Sequence, residues 1–250
     1  AEALHAALEG VCHVVWCAGG LLPPDAECDP VADEDLTLGP LRTLADVLGG
    51  TGVSVTYVSS GGTVYGNPGM PLVHEGAPVR PIGAYGRVRL AGERLLLAAN
   101  LDVRVLRCAN VYGEHQPPDR SQGAVAVFID RVRNGEEIVL YGGGAAVRDF
   151  VYVGDVVTAV EGLLGQPGPR VVNIGSGRGV SIRELLELVE RTVGRPARIV
   201  ERPARAFDVD RVVLDVERLR SLVPFEPLSL GAGLARTAAA PLPAPSAALR

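Results

Sequence analysis

The amino-acid sequence predicts an α/β fold built on a doubly wound parallel sheet, and three stretches carry that prediction. Residues 11–17 and 53–60 are short runs rich in apolar and β-branched residues, and each stops in a small or hydroxyl-bearing cluster, Ala18-Gly19-Gly20 and Ser59-Ser60-Gly61-Gly62. A third such run spans residues 103–107. Between them lie segments whose apolar residues recur with a period near 3.6, the mark of amphipathic helices. Strands alternating with helices in this way make parallel βαβ units. Open sheets of this type bind ligands at the carboxyl ends of their strands, so Ser59, Ser60, Thr63 and Tyr85 are placed to converge on one site.

Taken in order, residues 1–9 read as the end of a helix (Leu4, Ala7, Leu8) and residues 11–17 as the first strand. The acidic, proline-containing residues 21–34 are expected to form a loop, and residues 36–48 a helix stopped by Gly49-Gly50. After the strand at 53–60, residues 66–83 are rich in Gly and Pro without periodicity, which predicts a surface loop near the site. The helix opening at Tyr85 carries Val88, Leu90, Ala91, Leu95 and Leu96, with Arg87, Arg89, Glu93 and Arg94 between them. Arg89 therefore lies one turn beyond Tyr85 on the same face.

Beyond Gly113 the pattern predicts a polar loop (115–122), a helix (124–133), a strand (138–141), a turn at Gly142-Gly143-Gly144, a strand (171–174), a helix (181–193), a strand (198–200) and two short helices (215–222, 230–238). The Ala/Pro-rich residues 239–250 are expected to be disordered. No internal repeat is found. The organisation read from this is a first region at 1–113, a second at 114–238 and a tail at 239–250. The sequence GSGRGVS at 175–181 sits between strand and helix, but it lacks a P-loop lysine, and Ser181 with Glu184 three residues later forms a capping box. It is read as a turn and a helix cap.

Composition excludes several classes. With 250 residues and 47% apolar content the chain can bury a substantial core. No apolar run reaches the roughly 18 to 20 residues needed to span a bilayer, and no signal segment opens the chain, so a cytoplasmic location is expected. A net charge of -5 and an isoelectric point near 5.5 argue against a nucleic-acid surface. Cys12, Cys17, Cys28 and Cys108 fit neither a disulfide framework nor a zinc site and are read as buried reduced thiols. His5, His13, His74 and His115 are scattered, so no metal site is expected. All 24 basic residues are arginine, a drift that bears directly on Arg89. The first residue is Ala1 and the one methionine is Met70, which predicts a processed or cut amino terminus.

The pieces VVWCAGG, YVSSGGTVYGNP, AYGRVRLAGE, LRCANVYG, QGAVAVF, VRDFVYVGDV, NIGSG with VSIRELL, and PARAFDV, in this order over about residues 11 to 236, resemble the extended short-chain dehydrogenase/reductases. Within them the likeness is to the NAD-dependent epimerase/dehydratase family of nucleotide-sugar enzymes, the UDP-glucose 4-epimerases in particular. The resemblance implies a Rossmann-like sheet with a smaller C-terminal α/β substrate region, NAD as cofactor, a nucleotide sugar as substrate, and a homodimer through a bundle that includes the helix after Tyr85. It implies that Tyr85 is the acid/base, with the cation at position 89 favouring its phenolate. It also implies that Cys17, Ala18, Gly19 and Ser59 pass beside the dinucleotide, and that Asn110, Arg148 and Arg205 contact the diphosphate, for which arginine's planar fork is suited. For Arg148 a structural pair with Asp149 or Asp155 stays open as the alternative, and for Arg205 a pair with Asp208.

The chain departs from the family pattern in four places. The family opens with a strand, a G-x-x-G-x-x-G turn and a helix that receives the pyrophosphate; by the matched order this chain starts roughly two βα units later. That leads us to expect a fragment, with the edge of the first strand left open to pairing. Arg89 stands where the family has lysine, which is open to two readings: a harmless consequence of the arginine drift, or a lost active site. The family's Ser/Thr position falls on Gly61, leaving the hydroxyl to Thr63, our choice, or Ser60. Leu36 stands where many members have an asparagine near the nicotinamide. The expected activity is C4 epimerisation through a 4-keto sugar. The alternatives are a 4-ketoreductase or a 4,6-dehydratase, the latter disfavoured because Gly61-Gly62-Thr63 supplies no carboxylic acid pair, and a nucleotide-sugar-binding protein without turnover.

Overall fold

The computed structural model describes residues 2–118, 122–205 and 208–241. A short helix α1 (Glu2–Ala7) leads into strand β1 (His13–Trp16). Two helices follow, α2 (Pro23–Cys28) and α3 (Pro30–Leu48). The loop expected at 21–34 is thus mostly helical. Prolines that suggested a loop occupy the first turns of α2 and α3, where no backbone donor is required and their fixed φ suits a helix. Asp29 separates the two, its carboxylate accepting from Ala32 N at 3.0 Å.

Strand β2 (Ser54–Ser60) runs straight into a single-turn helix α4 (Gly61–Val64), and α5 (Ala84–Ala98) begins at the residue before Tyr85. Between α4 and α5 the Gly/Pro-rich segment is pinned rather than free, because Val73 is buried and bridges in parallel to Leu214. Next come β3 (Val103–Cys108), β4 (Asn110–Tyr112), α6 (Ala124–Asn134) and β5 (Glu137–Tyr141). A 3-10 turn at Gly142–Gly144 precedes β6 (Val147–Tyr152), α7 (Val153–Leu163), β7 (Val171–Ile174) and β8 (Gly179–Ser181). The chain continues through α8 (Ile182–Val193), β9 (Arg198–Arg202), β10 (Arg211–Val212), α9 (Glu217–Leu222) and α10 (Leu230–Ala239). Ser181 caps α8 with the reciprocal bonds of a capping box, as the sequence predicts. Of the tail expected to be disordered, residues 242–250 lie outside the described residues.

Three parallel pairings make the first sheet, in the order β1-β2-β3-β7, with β7 arriving from the second half of the chain. A second sheet has the order β10-β6-β4, with β8 antiparallel to β6, and β5 pairs with β9 separately. Because side chains alternate across a strand, Val55, Tyr57, Val103 and Val105 share one face of the first sheet and are buried against α3 and α5. Leu106, Cys108, Val172 and Ile174 face the opposite layer, which includes Ala159 and Leu163 of α7 and Leu219 of α9. On that second face β1 and β2 carry polar side chains: His13 bridges Ser54 Oγ (2.6 Å) and Thr56 Oγ1 (2.9 Å), and Val15 is 40% exposed. A third core joins α6, α8 and α10 to β5 and β6.

The expectation of four buried thiols is corrected. Cys108 is buried, and burial pushes its thiol up to about 12, but Cys12, Cys17 and Cys28 are exposed. Cys12 and Cys17 flank the edge strand β1, and Cys28 ends the short helix α2. Among the described residues no His/Cys/Asp/Glu group could hold a metal, and no helix is long and apolar enough to cross a membrane.

Candidate active site at the ends of β1 and β2

Gly61 explains how the chain turns at the end of β2. A Cβ there would sit 2.8 Å from Arg107 O and 2.7 Å from Leu214 Cδ1, so only glycine lets β2 enter α4 directly. Neighbouring Gly62 has looser surroundings, with Asn110 Nδ2 3.5 Å from the place of its missing Cβ. Thr63 closes the turn. Its hydroxyl lies 3.5 Å from Ser60 O, and its Cβ is 3.3 Å from where a Cβ on Gly86 would be. The small residue following Tyr85 thereby lets the first turn of α5 settle against Thr63.

The start of α5 is held by a group the sequence reading missed. Ala84 N–H donates to the Glu27 carboxylate of α2, which satisfies one of the orphan donors at the helix amino end. One turn into α5 the Arg89 guanidinium stacks on the Tyr85 ring, with Cζ 4.8 Å from its centroid. On its other side the guanidinium presses on the backbone at the end of β1. Even a methyl group on Gly19 would overlap it, with Cζ at 2.6 Å and Nη1 at 2.8 Å. Burial works against the Arg89 charge, but the Tyr85 and Tyr57 hydroxyls outweigh it and hold the group above its ordinary value. Arg89 has no ion-pair partner among the described residues. Cys17, Ala18 and Gly19 are exposed beside this cluster.

The loop carrying Gly19 is itself locked. Leu21 N donates to Asp33 Oδ1 at 2.8 Å, and Gly20 N to Thr37 Oγ1 at 2.9 Å, both acceptors lying on α3. Leu36, between them in sequence, points outward and is 56% exposed. Behind the site runs a buried polar network. Ser59 Oγ donates to Glu93 Oε1 (2.5 Å), Arg107 reaches both Glu93 oxygens (2.7 to 3.1 Å), and Arg107 Nη1 donates to Tyr65 OH (3.1 Å), which donates to Asn173 Oδ1 (2.7 Å). The Ser59 hydroxyl is therefore turned into the core, away from the exposed end of β1. Glu93 is one turn past Arg89, so this network fixes the face of α5 that carries Tyr85 and Arg89.

Asn110 opens β4, and its Nδ2 donates to Asp149 O at 3.0 Å. Arg148 on β6 pairs with neither Asp149 nor Asp155, its two nearest carboxylates in sequence. Asp149 is consumed by Ser176 N and Oγ, Gly177 N and Leu214 N, and Asp155 accepts from Leu228 N. Burial pulls Arg148 below its ordinary value, opposed by the fields of Asp208 and Asp210 and aided by that of Arg205. Arg205 stacks on Tyr141 (4.3 Å to the centroid) and makes a bidentate pair with Asp208 at 3.0 and 2.8 Å, the alternative that the sequence left open. The fold thus brings one cluster together around Tyr85, Arg89, Thr63 and Gly19, and a second around Arg148 and Arg205, with Asn110 reaching toward Gly62 of the first.

A parallel α/β sheet with helices packed on it defines a Rossmann-like α/β domain. The family model for the NAD dependent epimerase/dehydratase family matches residues 1–175, and the chain belongs to that family. It is 34% identical over 216 residues to the UDP-glucose 4-epimerase of Mycolicibacterium smegmatis, covering 84% of this chain and 69% of that protein. It is also 34% identical over 206 residues to the dTDP-glucose 4,6-dehydratase of Streptomyces griseus, covering 79% and 62%. The chain thus spans about two thirds of the length of these curated relatives. Its fold matches the crystal structure of the Thermotoga maritima UDP-glucose 4-epimerase with UDP-glucose at a TM-score of 0.89 and 30% identity, over 95% of this chain and 80% of that one.

Proposed function

We propose that this chain supplies the proton-transfer and sugar-nucleotide-binding groups of an NAD-dependent nucleotide-sugar 4-epimerase. The observation that carries the reading is the Tyr85–Arg89 stack at the start of α5, facing the exposed backbone of Cys17–Gly19. Those residues fit the nicotinamide-ribose end of a dinucleotide: open backbone, a phenol and a fixed cation. NAD, when bound, takes up and returns the C4 hydride. Tyr85 would accept the proton of the sugar C4 hydroxyl and return it, and a positive charge stacked on the ring favours the phenolate that this requires. Thr63, packed against Gly86 in the first turn of α5, is the candidate to share that proton in place of the serine excluded at Gly61.

Arg148 would supply positive charge for a diphosphate: it is half-buried with no ion-pair partner among the described residues, and an incoming anion would stabilise it. Arg205 would join it by exchanging the Asp208 carboxylate for a phosphate oxygen. C4 epimerisation is favoured over 4,6-dehydration because no carboxylic acid stands at Gly61-Gly62-Thr63. The test titrates the protein separately with a UDP-sugar and with NAD+, and assays turnover of UDP-glucose in wild type and Tyr85→Phe. Expected are UDP-sugar binding in both proteins and C4 inversion in the wild type alone. Turnover unchanged in Tyr85→Phe would remove that residue from the mechanism. UDP-sugar binding without NAD+ binding would leave a binding protein.

A further inference from the structure

We propose that Tyr57 is a positioning residue that anchors the back of the Arg89 guanidinium, so that this arginine is held against Tyr85 between two tyrosines. The proposal rests on the reading of Tyr85 and Arg89 as the proton-handling pair. Tyr57 lies on β2 and is fully buried; its hydroxyl makes no hydrogen bond of full geometry among the described residues, and the Arg89 guanidinium is the donor within its reach. A buried phenol left unpaired is costly, and phenylalanine would fill the same volume without that cost. The hydroxyl is aimed at α5. A Cβ on Gly92 would lie 2.7 Å from it, and Gly92 is three residues after Arg89 on the same stripe of that helix.

The geometry therefore puts three groups on the Arg89 guanidinium. The Tyr85 ring stacks on it at 4.8 Å, the Gly19 backbone packs against it, and the Tyr57 hydroxyl, set against α5 at Gly92, lies within its reach. Burial raises the Tyr57 hydroxyl above its ordinary value, and the Arg89 charge acts in the opposite sense, which places that cation within its field. An arginine has more reach and more rotamers than a compact ammonium. A second polar contact behind it restricts those rotamers and keeps its charge over Tyr85 rather than in solvent.

Tyr57→Phe tests this without any need for turnover. The Arg89 Nε–Hε resonance, identified by its loss in Arg89→Leu, is followed by NMR at fixed pH, where slow solvent exchange reports a guanidinium held in place. Tyr57→Phe should speed that exchange several-fold, and Gly92→Ala, whose added methyl meets the Tyr57 hydroxyl, should act in the same way. If the resonance is protected in the wild type and stays so in Tyr57→Phe and Gly92→Ala, the proposal is overturned and the Tyr85–Arg89 reading stands. If it exchanges freely in the wild type, both fail. A melting temperature raised equally by Tyr57→Phe in the wild-type and Arg89→Leu backgrounds would show an ordinary orphan hydroxyl and overturn the proposal.

Discussion

Removing the Glu93 carboxylate should cost a large part of the stability of this chain. Glu93 and Arg107 form an ion pair at 2.7 Å with side chains 1% and 8% exposed, and Glu93 also accepts from Ser59 at 2.5 Å. In Glu93→Ala the guanidinium stays buried with Tyr65 OH (3.1 Å) and the Glu75 carbonyl (3.4 Å) as its remaining acceptors. Deleting one member of a buried pair costs about 3 to 5 kcal/mol. The stranded Ser59 hydroxyl adds about 1 kcal/mol. Against a total of roughly 5 to 15 kcal/mol for a domain, the sum brings the fold close to its limit. Urea denaturation followed by circular dichroism measures it as a drop in the midpoint at unchanged slope. Replacing the pair together, Glu93→Leu with Arg107→Met, should recover most of the loss, because no charge is then left buried without its counter-ion. A loss below about 1 kcal/mol in Glu93→Ala would refute the reasoning, since it would mean that water or another group compensates the guanidinium.

Gly61→Ser, which restores the hydroxyl of the family pattern, should destabilise the protein and lower its melting temperature, because its Cβ meets Arg107 O at 2.8 Å; Gly62→Ser should be tolerated. Asp149→Asn should cost about 1 to 3 kcal/mol, read in the same denaturation assay, since an amide would turn a donor toward some of the Ser176, Gly177 and Leu214 groups that now donate to the carboxylate. His13 is held below its ordinary value chiefly by burial. The unfolded chain then takes up a proton more readily than the folded one, so this contribution is present above the unfolded value of about 6.5 and is lost as pH falls through the folded value. Melting temperature between pH 7.5 and 5 should therefore fall less in His13→Gln than in the wild type.

Local signals explain most of what was legible in advance. Helix α5, with Tyr85 at its start and Arg89 one turn on, follows from a period of 3.6, and the α8 cap follows from Ser181 and Glu184 three residues apart. Helix α2 is not legible in the sequence, because proline breaks a helix interior yet starts a helix when it stands in the first turn. With it went Glu27 as the cap of α5. Arg148 shows the other limit: the carboxylates beside it in sequence serve backbone donors elsewhere, and those whose fields reach it, Asp208 and Asp210, come some 60 residues later.

The sequence by itself determined the parallel α/β class, the family likeness and the placing of Tyr85 and Arg89 one turn apart on a single helix, because each rests on order or on spacing within one element. Tertiary structure alone decided what surrounds them. It placed Gly19 against Arg89, turned the Ser59 hydroxyl into the core and set the Tyr57 hydroxyl against Gly92 of α5. Those contacts join β1, β2 and α5 across tens of residues. Their existence depends on how closely backbones approach, and no periodicity in the chain encodes that distance.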